Sequence, residues 1–86
     1  MELLQLRYFL ESAETESFVR TAEKYRVPPS SVSASVKRLE KELKTSLFIR
    51  GFNRITLSDH GKCLRDALRE AFSSLDRALD TISLSD

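Results

Sequence analysis

Apolar residues recur every three to four positions at Leu3, Leu6, Phe9, Leu10 and Ala13, which predicts a helix over residues 3–14 with one apolar face. Thr15 and Glu16 fall in a short break. Ser17 is suited to cap a second helix, because its hydroxyl can accept a free backbone N–H, and Phe18, Ala22 and Tyr25 mark that helix's inner side. Val27-Pro28-Pro29 ends it, since proline disfavours helix in the residue before it and suits the first turn of the helix after it. A third helix is predicted from about Pro29 to Leu43. Its stripe of Val32, Val36, Leu39 and Leu43 stays on one side at about 100° per residue.

Beyond residue 45 the period changes. Leu47-Phe48-Ile49-Arg50 and Arg54-Ile55-Thr56-Leu57 are short and rich in strand formers, and Gly51-Phe52-Asn53 between them predicts a tight hairpin. Ser58 is placed to cap a fourth helix, and Asp59 faces the positive end of its dipole. That helix is expected to run from Asp59 to about Ser83. Its Leu64, Leu68, Ala71, Leu75, Ala78 and Ile82 alternate four and three apart, as in a heptad seam, and Phe72 and Leu79 widen the face. Either the helix packs on its own domain or it pairs with a second copy. Such a broad face exceeds what a small core can cover, which favours a symmetric dimer using Leu64, Leu68, Ala71, Phe72, Leu75, Leu79 and Ile82.

The order helix, helix, sharp turn, helix, two-stranded ribbon is that of a winged helix-turn-helix. The expected fold is therefore mainly α: three helices and a β wing over residues 1–58, then a long linker or dimerisation helix over 59–86.

Charge sharpens this picture. The formal net charge is only +1. Residues 1–18 hold one basic and four acidic side chains, residues 19–57 nine and three, and residues 58–86 four and six. A basic middle between acidic ends is an electrostatic footprint for nucleic acid. The outward side of the third helix is small at its start, with Ser30, Ser33 and Ala34, and basic further along, with Lys37, Arg38 and Lys41. Small residues permit close approach to base edges in the major groove, and cations beyond them suit phosphates. Arg50 and Arg54 bracket the hairpin turn, where a basic tip can reach phosphates or a minor groove. Alone, a basic helix face reads as merely solvated. The coincidence with the preceding turn and the basic hairpin favours DNA. The candidate DNA-binding set is Pro29, Ser30, Ser31, Ser33, Ala34, Lys37, Arg38, Lys41, Arg50 and Arg54.

Other chemistries find little support. A lone histidine, His60, and a lone cysteine, Cys63, lack companions for a metal site, and no cofactor is expected. No serine has a histidine–carboxylate arrangement, and no glycine loop could cradle phosphates, so no enzyme activity is expected. No apolar run approaches the roughly 20 residues of a membrane span, and no secretory leader is expected at the start.

The ordered set Leu6-Arg7-Tyr8-Phe9, Ser17-Phe18, Ala22, Val32-Ser33, Lys37-Arg38-Leu39-Glu40, Leu43, Leu47-Phe48, Arg50, Arg54, Leu57-Ser58 and Gly61 resembles the N-terminal domain of LysR-type transcriptional regulators. The resemblance covers the chain without gaps. It implies a cytoplasmic, nucleoid-associated bacterial regulator that binds imperfect inverted repeats in double-stranded promoter DNA. It also implies a homodimer through antiparallel linker helices, a tetramer in a full-length form, and an effector small molecule bound only by a further domain. We expect a piece cut at the linker helix rather than a natural short form. The chain departs from the family at Pro29, usually glutamine, at Ser30, often proline, and at Ala34, often arginine. Thr21 stands for a usual alanine and Lys44 for a usual glycine. Without long readers at Pro29 and Ala34, an alternative is a winged-helix dimerisation or protein-interaction module with weakened or non-specific DNA binding.

Overall fold

The computed structural model describes residues 1–84; the last two positions of the expected linker helix lie outside the described residues. Four helices and one hairpin follow in the order α1 (Leu3–Thr15), α2 (Phe18–Tyr25), α3 (Pro29–Leu43), β1 (Phe48–Gly51), β2 (Arg54–Leu57) and α4 (Asp59–Leu84). This is the expected three helices, wing and long C-terminal helix.

Local chemistry explains most boundaries. The Ser17 hydroxyl accepts the backbone N–H of Arg20 at 3.1 Å, and the Ser58 hydroxyl accepts that of Gly61 at 3.0 Å, so both serines cap as expected. Pro29 occupies the first turn of α3. The first three helices all end on a left-handed residue that is not glycine: Glu16, Arg26 and Lys44, at φ 52°, 56° and 57°. Lys44 thus adopts a conformation that a glycine would take freely, at a cost of order 1 kcal/mol.

The hairpin differs from the expected three-residue turn. Gly51 pairs with Arg54 as the last rung, leaving Phe52-Asn53 as the turn, and the left-handed residue is Asn53 at φ 59° rather than a glycine. Asparagine tolerates that region better than most side chains.

Two joined clusters make the core. Phe9, Ala13, Val36, Leu39, Leu47, Phe48, Leu68 and Phe72 form the larger, and Tyr8, Ala22 and Val32 the smaller, with Phe18 packed against both. α3 reaches into each: Val32, Val36 and Leu39 are fully buried. Burying each is worth about 1.5–3 kcal/mol, so the helix is fixed at two depths and its outer face has a defined direction. Leu3 and Leu43, at the ends of their predicted stripes, lie beyond the core and remain exposed. Thr21 fills its buried site by sharing a 2.8 Å hydrogen bond with the buried Ser12 hydroxyl and by donating to the Ser17 carbonyl.

α4 divides the residues of the expected dimer face between the core of the chain and its surface. Leu68 and Phe72 turn inward and are core residues of the chain itself, and Leu64 and Leu75 are half-covered by the same cluster. The Arg7 guanidinium lies 4.3 Å over the Phe72 ring and pairs with Asp76, while Arg69 reaches Glu14, so α1 is tied along this half of α4. One core therefore runs across the expected 58/59 boundary. Of the proposed dimer residues, Ala71, Leu79 and Ile82 are exposed. Cys63 is exposed as well.

Candidate nucleic-acid interface

The outer face of α3 follows from its inner one. With Val32, Val36 and Leu39 locked inward, Ser30, Ala34, Lys37 and Lys41 fall opposite them and are exposed. Pro29 and Ser31 are exposed at the first turn and Arg38 along the flank, while Ser33 is half-buried.

The fold then brings part of this face to the wing. Ser33 and Lys37 line one open groove together with Arg50 and Arg54 of the hairpin and Ser17 at the start of α2. Ser31 and Arg38 border a separate shallow groove beside Gln5 and Tyr8 of α1. Ser30, Ala34 and Lys41 stand on the open face between these edges, and Pro29 is exposed at the first turn. Thus the ten candidate residues form one surface rather than one pocket.

Some basic side chains are paired with carboxylates and others are not; among the described residues Arg20, Arg26, Lys44 and Lys62, outside this surface, also have no carboxylate partner. Outside this surface, Arg7, Lys24 and Arg69 are held by Asp76, Glu11 and Glu14. The Glu11 hydrogen bond raises the Lys24 pKa, and that from Arg69 lowers the Glu14 pKa. Among the described residues, Lys37, Arg38, Lys41 and Arg54 have no carboxylate partner. Their charge is left to act outward, toward an anion.

Arg50, read from the sequence as able to reach phosphates or a minor groove, is paired within the chain. Its Nη2 donates to Glu40 Oε1 at 2.9 Å, and its guanidinium lies 5.1 Å from the centre of the Phe18 ring. The other Glu40 oxygen accepts the backbone N–H groups of Leu47 and Phe48 at 2.7 and 3.2 Å. Glu40, on α3, therefore clasps the root of the wing. Sequence reasoning left Glu40 without a role, although its position three residues after Lys37 puts it on the helix flank facing the hairpin. It also passed over Phe52, which it read only as a turn residue; an aromatic at a hairpin tip was the available signal.

Among the described residues, no three histidine, cysteine, aspartate or glutamate side chains gather as a metal site. Nor, among the described residues, is any helix long and apolar enough to cross a membrane. The His60 Nδ1 shares a 2.7 Å hydrogen bond with the Thr45 hydroxyl, joining the start of α4 to the turn after α3.

Known proteins share this sequence pattern and fold. Residues 3–62 match the family described as bacterial regulatory helix-turn-helix protein, lysR family. The chain is 40% identical over 65 residues to the HTH-type transcriptional regulator IlvY of Escherichia coli (strain K12), covering 76% of this chain and 22% of that protein. It is 36% identical over 78 residues to the HTH-type transcriptional activator AmpR of Citrobacter freundii, covering 91% and 27%. The chain thus spans about a quarter of the length of these curated relatives. Among solved structures, the BenM DNA-binding domain in complex with catB site 1 DNA superposes with a TM-score of 0.89 at 28% identity, covering 96% of this chain and 92% of that one. Full-length OxyR C199D from Pseudomonas aeruginosa gives 0.86 at 26% identity, covering 98% and 28%. With the family matched over most of the chain and the winged helix reproduced element by element, this protein belongs to the lysR family of bacterial regulatory helix-turn-helix proteins.

Proposed function

We propose that this chain is the DNA-reading segment of a transcription regulator. α3 enters the major groove of double-stranded promoter DNA, and the wing rests on the adjacent backbone or minor groove. The observation that carries this reading is the row of unpaired cations, Lys37, Arg38, Lys41 and Arg54, beside the small Ser30–Ala34 end of α3. A B-DNA major groove about 12 Å wide admits a helix. Small side chains let the start of α3 approach the bases, while the cations release counterions from phosphates. The DNA complex of the BenM domain, which has the same fold, supports this placement.

Ser30 and Ser33 supply hydrogen bonds to base edges, and Ala34 offers a methyl contact of the kind that suits thymine. Neither Pro29 nor Ala34 can make a bidentate contact, so sequence-dependent DNA shape carries a larger share of the preference. Two chains pair through the exposed remainder of α4, placing two recognition helices on an imperfect inverted repeat. A tetramer and an effector-binding step belong to a longer form, and the setting is the bacterial cytoplasm. The chain has no catalytic role in this reading.

The test is a salt series of binding to the DNA upstream of the protein's own coding region, against shuffled DNA of equal length. The reading expects steep salt dependence and a clear preference for the native duplex. Arg54→Ala should weaken both affinities alike and flatten the salt slope by about one unit. Equal binding to both duplexes would replace the reading with a non-specific DNA binder, and absence of salt-sensitive binding with a protein-interaction module.

A further inference from the structure

The wing ends in an aromatic ring that touches almost nothing: Phe52 is 92% exposed, the most exposed large apolar side chain among the described residues. A phenylalanine forfeits its burial energy there unless something covers it. We propose that Phe52 is an insertion wedge, which enters the minor groove beside the major groove occupied by α3 and stacks against a base step. This rests on the DNA-binding reading above and adds a contact of a different kind, apolar and uncharged.

Three features commit the occupant to duplex DNA. First, Phe52 lies between Arg50 and Arg54 in the sequence, at the hairpin tip, and its neighbours Gly51, Asn53 and Arg54 line the groove that also holds Ser33 and Lys37 of α3. Whatever fills that groove with phosphate brings its bases to the tip. Second, among the described residues Arg54 has no carboxylate partner, so its charge at the hairpin tip complements a polyanion and repels a basic surface. Third, the wing is a braced strut. Its strands pair over four rungs, from Phe48 with Leu57 to Gly51 with Arg54. Glu40 holds its first strand through two backbone N–H groups and Arg50, and the Ser58 hydroxyl donates to the Ser46 carbonyl at 2.7 Å. The entropy of ordering the hairpin is thus settled in the folded chain, which leaves the gain from inserting the ring largely intact.

Insertion of apolar side chains between base steps, with local unstacking and bending toward the major groove, is a known mode of minor-groove contact. It is cheapest at flexible pyrimidine–purine steps. The wedge therefore supplies preference through deformability, at a position where the chain makes no hydrogen bond to a base, and offsets the absence of long readers on α3.

The chain contains no tryptophan, so Phe52→Trp installs a single reporter at the tip. The upstream duplex and its shuffled counterpart serve as probes. Stacking predicts strong quenching of the Phe52→Trp emission at saturating duplex. Phe52→Ala should bind about tenfold more weakly, the loss expected of one aromatic–base stack, with an unchanged salt slope, because no cation has been removed. Unchanged affinity of Phe52→Ala, unchanged Phe52→Trp emission, or a flattened salt slope overturns the wedge while leaving DNA binding in place. Failure of the unaltered chain to bind either duplex overturns both.

Discussion

Glu40 and Arg50 meet across the junction of recognition helix and wing, Oε1 to Nη2 at 2.9 Å, while the second Glu40 oxygen accepts two backbone N–H groups of the strand that carries Arg50. One half-buried carboxylate thereby sets the angle between the two elements that would straddle a DNA backbone. Glu40→Ala removes all three bonds and leaves the Leu47 and Phe48 N–H groups, both on buried residues, without an acceptor. The loss should be about 2–3 kcal/mol, as for other hydrogen bonds to charged groups. Urea denaturation reads it as a lower midpoint at unchanged slope.

Gly61 should tolerate no side chain. A Cβ there would lie 2.1 Å from the Leu47 carbonyl oxygen and 2.9 Å from Leu57 Cδ2. That carbonyl is itself fixed, since it accepts the Ser58 N–H at 3.0 Å. Overpacking of this kind costs about 1–3 kcal/mol, and Gly61→Ala should fall at the upper end. Gly51→Ala is the control: its Cβ would meet nothing closer than Arg54 Cγ at 3.7 Å. Thermal unfolding of the two variants should separate them clearly, and equal melting temperatures would contradict the packing at the start of α4.

Acid should weaken the link between α1 and α4. The Arg69 guanidinium, hydrogen-bonded at 2.8 Å, holds the Glu14 carboxyl below its ordinary range. A carboxylate whose pKa is lowered by folding stabilises the chain above its unfolded pKa, and that contribution disappears as pH falls through the lowered folded value. Glu14→Gln should therefore be less stable than the parent near neutrality, by a small margin because the pair is exposed. The two should converge as pH falls below the ordinary carboxylate range and through the lowered folded value. Melting temperatures across that range check the convergence, and a difference constant with pH would rule the pair out as its source.

Dimerisation should depend on the end of α4 rather than on its middle. Leu79 and Ile82 are 50% and 63% exposed, whereas Leu68 and Phe72 are sealed against α1. Leu79→Glu with Ile82→Glu should give folded monomers in sedimentation with native circular dichroism. Leu68→Glu should instead unfold the domain, because it buries a charge without a partner. A dimer that survives the Leu79 and Ile82 changes would place the contact elsewhere on the chain.

Much of the architecture was legible in the residues because it is local. Helix periodicity, the serine caps at Ser17 and Ser58 and the proline pair before α3 act within a few positions of themselves, and each element formed where that chemistry put it. The outward face of α3 was legible for the same reason: once Val32, Val36 and Leu39 point inward, helical geometry alone places Ser30, Ala34, Lys37 and Lys41 opposite.

What covers an apolar face, and what holds a charge, are questions of distance in space, and there the tertiary structure decided. The periodicity of α4 marked Leu68 and Phe72 as apolar-facing but could not say that α1 would close over them, since residues about 60 positions apart meet only when the chain folds. Arg50 and Arg54 look alike beside the turn. Folding gave the first to Glu40 and left the second without a carboxylate partner among the described residues, because Arg50 and Arg54 lie on opposite faces of the ribbon and only the face carrying Arg50 is turned to Glu40. Composition and pattern thus determined a basic winged helix, while packing determined which of its cations and apolar side chains remain available to a partner.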